Sequence, residues 1–344
     1  MIRKMFRTVS RSNWGADPRI VRERLSEIMK KLIVLLGFFV VFAVCVKAQN
    51  ANPESAAPAT QTGPQQPLTP APNQVTAQQG TDPGAHARPP LPLPKNPNLP
   101  TLYLVGDSTV RNGRGDGANG QWGWGEPLVD YFDADKINVV NRAIGGRSSR
   151  TYITEGRWDE LLAMLKPGDF VIFQWGHNDS GPLDDPARAR GTLPGVGDET
   201  REIDNPITKK HEVVHTYGWY MRKYVTDTLA KGATPIVCSP IPRKIWEDGH
   251  VVRNKANYGG WARQIAEEEK VAFVDLNEII ARSYDAMGEA QVEPLFADPH
   301  THTSLAGAVL NAESVVAGLK ALPGNPLGRY LSPKGEAIAP ATVP

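Results

Sequence analysis

Five short apolar runs, at residues 102–105, 137–141, 170–174, 235–239 and 271–275, alternate with segments of helical pattern from residue 101 onward. Runs so short and so continuously apolar suit strands covered on both faces, as in a parallel sheet. The predicted helices are 126–132, 157–165, 216–231, 258–270, 276–287 and 304–321. In the second of these Leu161, Leu162 and Leu165 share one face, and Lys166-Pro167-Gly168 stops the helix before the next strand. Alternation of this kind implies an α/β fold with helices on both sides of the sheet. Chemistry in such a fold gathers at the carboxyl ends of the strands. The long polar or Gly/Pro-rich connections 177–210 and 288–302 are expected to shape a binding surface there.

The rest of the chain is not built to form a core. Residues 51–100 hold 13 of the 30 prolines and no aromatic residue, so 49–100 is expected to be a disordered Pro/Ala/Gln-rich linker. Before it, Lys30 and Lys31 precede an apolar run at 32–46, and Val46-Lys47-Ala48 offers a cleavage site. That order is a secretory signal, too short for the ~20 apolar residues of a membrane span. Residues 29–48 are therefore expected as a signal peptide and 1–28 as an upstream extension, which makes the protein secreted or periplasmic, with no stable membrane insertion after cleavage. About 220 residues remain for one domain, 101–322, with 323–344 as a C-terminal tail. Ten basic residues against three acidic ones in the first 48 leave the remainder at −6, a poor charge balance for nucleic acid. Cleavage would also leave Cys238 alone, so no internal disulfide is expected.

Four blocks fall at the predicted loop positions. Gly106-Asp107-Ser108-Thr109 follows the first strand and offers a hydroxyl on a tight turn. Gly145-Gly146-Arg147-Ser148 follows the second, where glycines let a main-chain N–H approach a substrate oxygen. Gly176-His177-Asn178-Asp179 follows the third and supplies an amide for a developing oxyanion. Asp298-Pro299-His300-Thr301-His302-Thr303-Ser304 precedes the last helix, with imidazole and carboxylate together.

Together with Trp122-Gly123-Trp124-Gly125-Glu126, Ser149-Arg150 and Ala306-Gly307-Ala308, these blocks resemble the SGNH (GDSL-type) hydrolases, and most closely the rhamnogalacturonan acetylesterases of carbohydrate esterase family 12. The resemblance spans residues 102–322. It implies a three-layer α/β/α flavodoxin-like fold with a five-stranded parallel sheet. It further implies that Ser108 is the nucleophile and His302 the base, with the Ser108 and Gly146 N–H groups and the Asn178 side chain as oxyanion donors. The family aspartate lies three residues before the histidine, where this chain has Pro299; Asp298, four before, is expected to take its place. The alternative is a Ser108–His302 dyad oriented by a main-chain carbonyl. The activity implied is removal of O-acetyl groups from a polysaccharide, pectic rhamnogalacturonan first, by a monomer without metal or cofactor. The alternatives are an inactive carbohydrate-binding protein, or an esterase for acetylxylan or another ester.

Arg147, Trp124 and His215 are expected against the substrate. Trp122, Trp124, Trp175 and Trp219 suit either a sugar-stacking groove or the core, and Arg147, Arg150 and Arg243 are candidates to meet substrate carboxylates. His211-Glu212-Val213-Val214-His215 also matches the His-Glu-x-x-His zinc pattern. It stands at the predicted start of a helix beside Lys209 and Lys210, a poor setting for a cation; His211 and Glu212 are expected to be exposed there.

Overall fold

The computed structural model describes residues 91–112 and 118–342. The expected extension, signal peptide and most of the linker lie outside the described residues. In chain order the elements are β1 (Thr101–Gly106), β2 (Asn138–Asn141), α1 (Ser149–Thr154), α2 (Arg157–Leu162), β3 (Phe170–Gln174), β4 (Thr200–Asp204), β5 (His211–His215) and α3 (Tyr217–Ala230). They continue with β6 (Thr234–Cys238), β7 (Trp246–Glu247), β8 (His250–Val251), α4 (Tyr258–Glu268), β9 (Ala272–Val274), α5 (Leu276–Met287), α6 (Glu289–Val292), α7 (Leu305–Ala321) and α8 (Pro333–Glu336). The central sheet has the order β2-β1-β3-β6-β9, all parallel. β4-β5 and β7-β8 are separate antiparallel hairpins.

Alternation along each strand divides the core into two layers. Leu102, Leu104, Phe170, Ile172, Ile236, Cys238 and Val274 face one side, where α5 and α7 supply Ile280, Tyr284, Val315 and Leu319. Tyr103, Val105, Val171, Phe173 and Val237 face the other, against Trp158, Leu161, Tyr224 and Ile265 of α2, α3 and α4. Each fully buried Leu or Phe contributes roughly 1.5–3 kcal/mol relative to exposure, so neither face tolerates a polar strand residue without a partner. The five strands predicted from the apolar runs are the five of this sheet, which makes the fold the expected three-layer α/β/α arrangement.

Four elements differ from expectation. Residues 323–342, expected as a tail, are packed: Leu327, Tyr330 and Leu331 enter the α7-side core, and Leu331 pairs with Phe132. The predicted helix at 126–132 is a 3₁₀ turn, Pro127–Tyr131, and α2 ends at Leu162. His211–His215 is a strand rather than a helix start, because Thr216 caps α3 through its hydroxyl on the Trp219 N–H, and helix begins only at Tyr217. At roughly 3.3 Å rise per residue, the two histidines stand about 13 Å apart along β5, too far to share one ion.

Glu212, expected to be exposed, instead pairs with Arg150. Arg150 is fully buried, and its Nε and Nη2 each donate to Glu212 at 2.7 Å, while Nη1 donates to the carbonyls of Leu183 and Gly191. Arg150 is therefore a structural tie between α1, the 177–199 connection and the β4-β5 hairpin, and is not available to a substrate. Glu212→Ala strands this guanidinium and is expected to lower unfolding free energy by about 3 kcal/mol, measurable by urea denaturation; a change of a few tenths would show that the loop is held by other contacts.

Candidate active site

Strand register brings the first three blocks to one edge. Gly106 is level with Gln174 across β1 and β3, so the turns holding Ser108 and Asn178 leave the sheet side by side. The chain after β2 is stitched to β1 by Arg142 N–H to Leu104 O and Ile144 N–H to Gly106 O, both 2.9 Å. Gly145 thereby lies against Ser108, and Gly146 turns there with φ +77°, a conformation L side chains rarely adopt.

Beneath Ser108 runs a buried chain of hydrogen bonds. Trp124 Nε1 donates to Gln174 Oε1 at 2.8 Å, Gln174 Nε2 to Thr109 Oγ1 at 2.6 Å, and Thr109 Oγ1 to Asp107 Oδ1 at 2.8 Å. Trp124 was expected in the substrate groove; it is completely buried and holds the Ser108 turn from below. Gly123 permits this placement, since a Cβ there would lie 2.4 Å from the Val110 carbonyl carbon. Trp175 is likewise core. The tryptophan beside the fourth block is Trp122, which pairs with Thr303.

The fourth block is a closed loop. Phe296 and Thr303 form a bridge, and Ala297 N–H donates to His302 O at 2.9 Å. Within it Asp298 Oδ1 accepts from the N–H groups of His300, Thr301 and His302, at 3.1, 2.7 and 3.0 Å. Winding three N–H groups onto one oxygen takes up the extra residue and leaves Oδ2 at 2.5 Å from His302 Nδ1. On the other side of the ring, Nε2 lies 2.8 Å from Ser108 Oγ. Burial acts to raise the Asp298 carboxyl, but the His302 ring and the Thr301 and His302 N–H groups outweigh it and hold the group well below the usual carboxylate range. Asp298 is thus an acceptor at any working pH. His300 turns away, with Nδ1 on Thr301 Oγ1.

Asn178 Nδ2 donates to Arg147 O at 2.8 Å, which orients the amide and leaves its second hydrogen. Among the described residues no acceptor engages the N–H of Ser108 or of Gly146. Gly145 lies against Ser108, so the Ser108 and Gly146 N–H groups sit on adjoining turns and, with the Asn178 amide, are candidate donors to an anionic oxygen. Arg190, from the long connection after β3, donates through Nη1 to the Gly146 carbonyl at 3.0 Å and braces that turn.

The two other side chains expected at the substrate are placed differently. Arg147 is half-buried, with Nε on Glu155 and Nη1 on the Gly145 carbonyl, so it borders the turn while engaged locally. His215 stacks on Trp219 at 3.8 Å, and none of its contacts among the described residues is with Ser108 or His302. Sequence reasoning gave no role to Asp179 or Arg190. Asp179 accepts from the Ser149 N–H at 3.1 Å and hydroxyl at 2.5 Å, tying the Asn178 turn to α1; a second acid directly after Asn178 was the available signal. Nothing local marks Arg190, because its partner is 44 residues away.

Asp179 also carries a pH signature. Burial first, and the neighbouring Asp107 in addition, push its carboxyl up to about 7 against the hydrogen bonds from Ser149. The unfolded chain releases this proton near pH ~4, so the folded protein binds more protons up to about 7. Stability therefore falls as pH rises through that window and then levels off. Asp179→Asn is expected to flatten the fall between pH 5 and pH 8 in urea unfolding; an unchanged slope would place the titration elsewhere.

Comparison with known proteins gives this geometry its relatives. Residues 104–310 match the GDSL-like Lipase/Acylhydrolase family. A rhamnogalacturonan acetylesterase of Emericella nidulans is 34% identical over 215 residues, 62% of this chain and 82% of that protein. The probable rhamnogalacturonan acetylesterase YesY of Bacillus subtilis is 33% identical over 226 residues, 64% of this chain and 93% of that protein. Among solved structures, the Bacillus subtilis protein YxiM superposes with a TM-score of 0.51 at 26% identity over 65% of this chain, which spans 56% of that longer one.

Proposed function

This chain belongs to the GDSL-like lipase/acylhydrolase family, and from that premise we propose that it is an exported esterase that removes O-acetyl groups from rhamnogalacturonan. It is a serine esterase of the kind that acts on polysaccharide acetyl groups. The observation that carries the proposed mechanism is the unbroken sequence Ser108 Oγ, His302 Nε2, His302 Nδ1, Asp298 Oδ2, at 2.8 and 2.5 Å. The names of the two relatives support rhamnogalacturonan as substrate, and the leader read in the sequence supports export.

In this mechanism the Ser108 oxygen attacks the acetyl carbonyl carbon as its proton passes to His302 Nε2. Negative charge grows on the carbonyl oxygen, which the N–H groups of Ser108 and Gly146 and the Asn178 amide receive. His302 then gives its proton to the departing sugar oxygen, leaving acetyl-Ser108 and a free sugar hydroxyl. A water molecule, deprotonated by His302, attacks the acetyl group through the same oxyanion. Ser108 recovers a proton and acetate leaves. Throughout, Asp298 accepts from Nδ1, fixes the tautomer with Nε2 free, and stabilises the imidazolium.

Acetate release from acetylated rhamnogalacturonan, homogalacturonan and xylan tests the reading. Ser108→Ala is expected to lower kcat by at least ~10³-fold with the fold intact, Asp298→Asn by up to ~10⁴-fold, and Asn178→Ala by ~10²–10³-fold. Undiminished turnover in Ser108→Ala would refute the mechanism. Xylan preferred over both pectic polymers would refute the substrate, and a folded protein inert on all three would favour a carbohydrate-binding role. N-terminal sequencing of the protein recovered outside the producing cell tests export, with a start near Gln49 expected.

A further inference from the structure

The arginines of the described residues are mostly neutralised: Arg142, Arg147, Arg150, Arg157, Arg222, Arg253, Arg263 and Arg282 each have a carboxylate within 4 Å. Arg243 is an exception in a place where an exception is costly. It is partly buried in the loop after β6, and among the described residues no carboxylate lies within 4 Å of its guanidinium. Its one hydrogen bond runs from Nη2 to the His177 carbonyl at 3.3 Å. Burial lowers its pKa, with only the more distant Asp107 and Asp298 acting to restore it. A guanidinium carries five donors in a planar fork suited to a carboxylate, and here most of the fork is unspent.

The surroundings point to what it would take. Arg243, His177, Asn254, Asn277 and Tyr258 line a cavity of about 240 Å³ that begins at Gly176-His177, directly before Asn178. That volume suits one sugar unit. Asn254 Oδ1 is buried against Gly259 at the rim of this cavity without a partner. Arg253, the other guanidinium of the lining, is held by Asp285 at 2.6 Å. His177 is kept neutral by burial and by Arg243 itself, so it brings no competing charge. The backbone of the neighbouring Lys244 is pinned to the fourth block by its N–H on the His300 carbonyl at 2.9 Å, which fixes the loop relative to His302.

We propose that Arg243 is the specificity-determining residue of an acidic-sugar subsite, pairing with the carboxylate of a uronate unit seated in this cavity while the acetyl ester lies at Ser108. The inference rests on the esterase reading and assigns recognition of that substrate's uronate carboxylate to one side chain and one cavity. It also answers how a polyanion approaches a domain region of net charge −6, since local positive charge at the cleft outweighs a distant negative field that salt screens.

The test compares acetylated rhamnogalacturonan oligosaccharides with the same oligosaccharides after reduction of their carboxyl groups, which keeps the skeleton and removes the charge. Wild-type protein is expected to favour the acidic form at least tenfold in kcat/KM, mainly through KM. Arg243→Gln should bring that ratio within about threefold of unity, and Arg243→Lys should retain an intermediate preference; thermal unfolding checks that each variant folds. Equal wild-type rates on the two forms, or equal losses on both in Arg243→Gln, would overturn the proposal, the second by assigning Arg243 to support of the His177 carbonyl. Calorimetric binding of the acidic and reduced oligosaccharides to Ser108→Ala, with and without Arg243→Gln, separates the two claims. Charge-dependent binding without any acetate release from wild type would sink the esterase reading alone, and acetate release without charge-dependent binding would sink the subsite alone.

Discussion

The parallel pairing of β1 with β2 and β3 is the constraint on which the site depends. Side-by-side strands running the same way must all shed their connections at the same edge. The register then sets the heights: Gly106 beside Gln174, and Leu104 beside Asn141. Ser108, Gly146 and Asn178 follow these strand ends by a few residues and so come to the same edge, where hydrogen bonds from Asn178 to the Arg147 carbonyl and from Arg190 to the Gly146 carbonyl hold the two later turns. The rigidity comes from the two apolar layers and from the buried Trp124-Gln174-Thr109-Asp107 chain, which fixes the serine turn to β3.

A second constraint joins the remaining block to that edge. His302 stands 194 residues from Ser108, and its placement is decided by one carboxylate with two jobs. Asp298 Oδ1 gathers three N–H groups and thereby shapes the loop, while Oδ2 orients the ring. The shape of the loop and the direction of the imidazole are therefore not independent. This is the physical reason a spacing of four, with Pro299 interposed, still presents a carboxylate to Nδ1.

Charge is distributed with similar economy. Most arginines are tied to acids or, like Arg150, to loop carbonyls, and they build the walls around the site. Two whose hydrogen bonds reach the turns after β2 and β3 are not paired to acids: Arg190 steadies Gly146, and Arg243 borders the cavity beside His177. Leaving a guanidinium desolvated and unpaired lowers stability, so its position at the cleft is better explained by an incoming anion than by folding.

The sequence by itself determined the five sheet strands, the long helices from Tyr217 onward and the loops that hold Ser108, Gly146, Asn178 and His302, because apolar periodicity and chain stops such as Lys166-Pro167-Gly168 are local properties. It also held the family signature, since those blocks are contiguous. Tertiary structure alone decided that Trp124 supports the serine turn from the core, and that residues 323–342 pack against Phe132. It decided too that Glu212 spends its charge on Arg150, and that His211–His215 forms a strand in a hairpin with β4. Each of these turns on a partner distant in sequence or on competition between two local conformations, and neither is encoded in the spacing of residues along one segment. The same holds for Arg243, whose lack of an acidic partner is a property of everything packed around it.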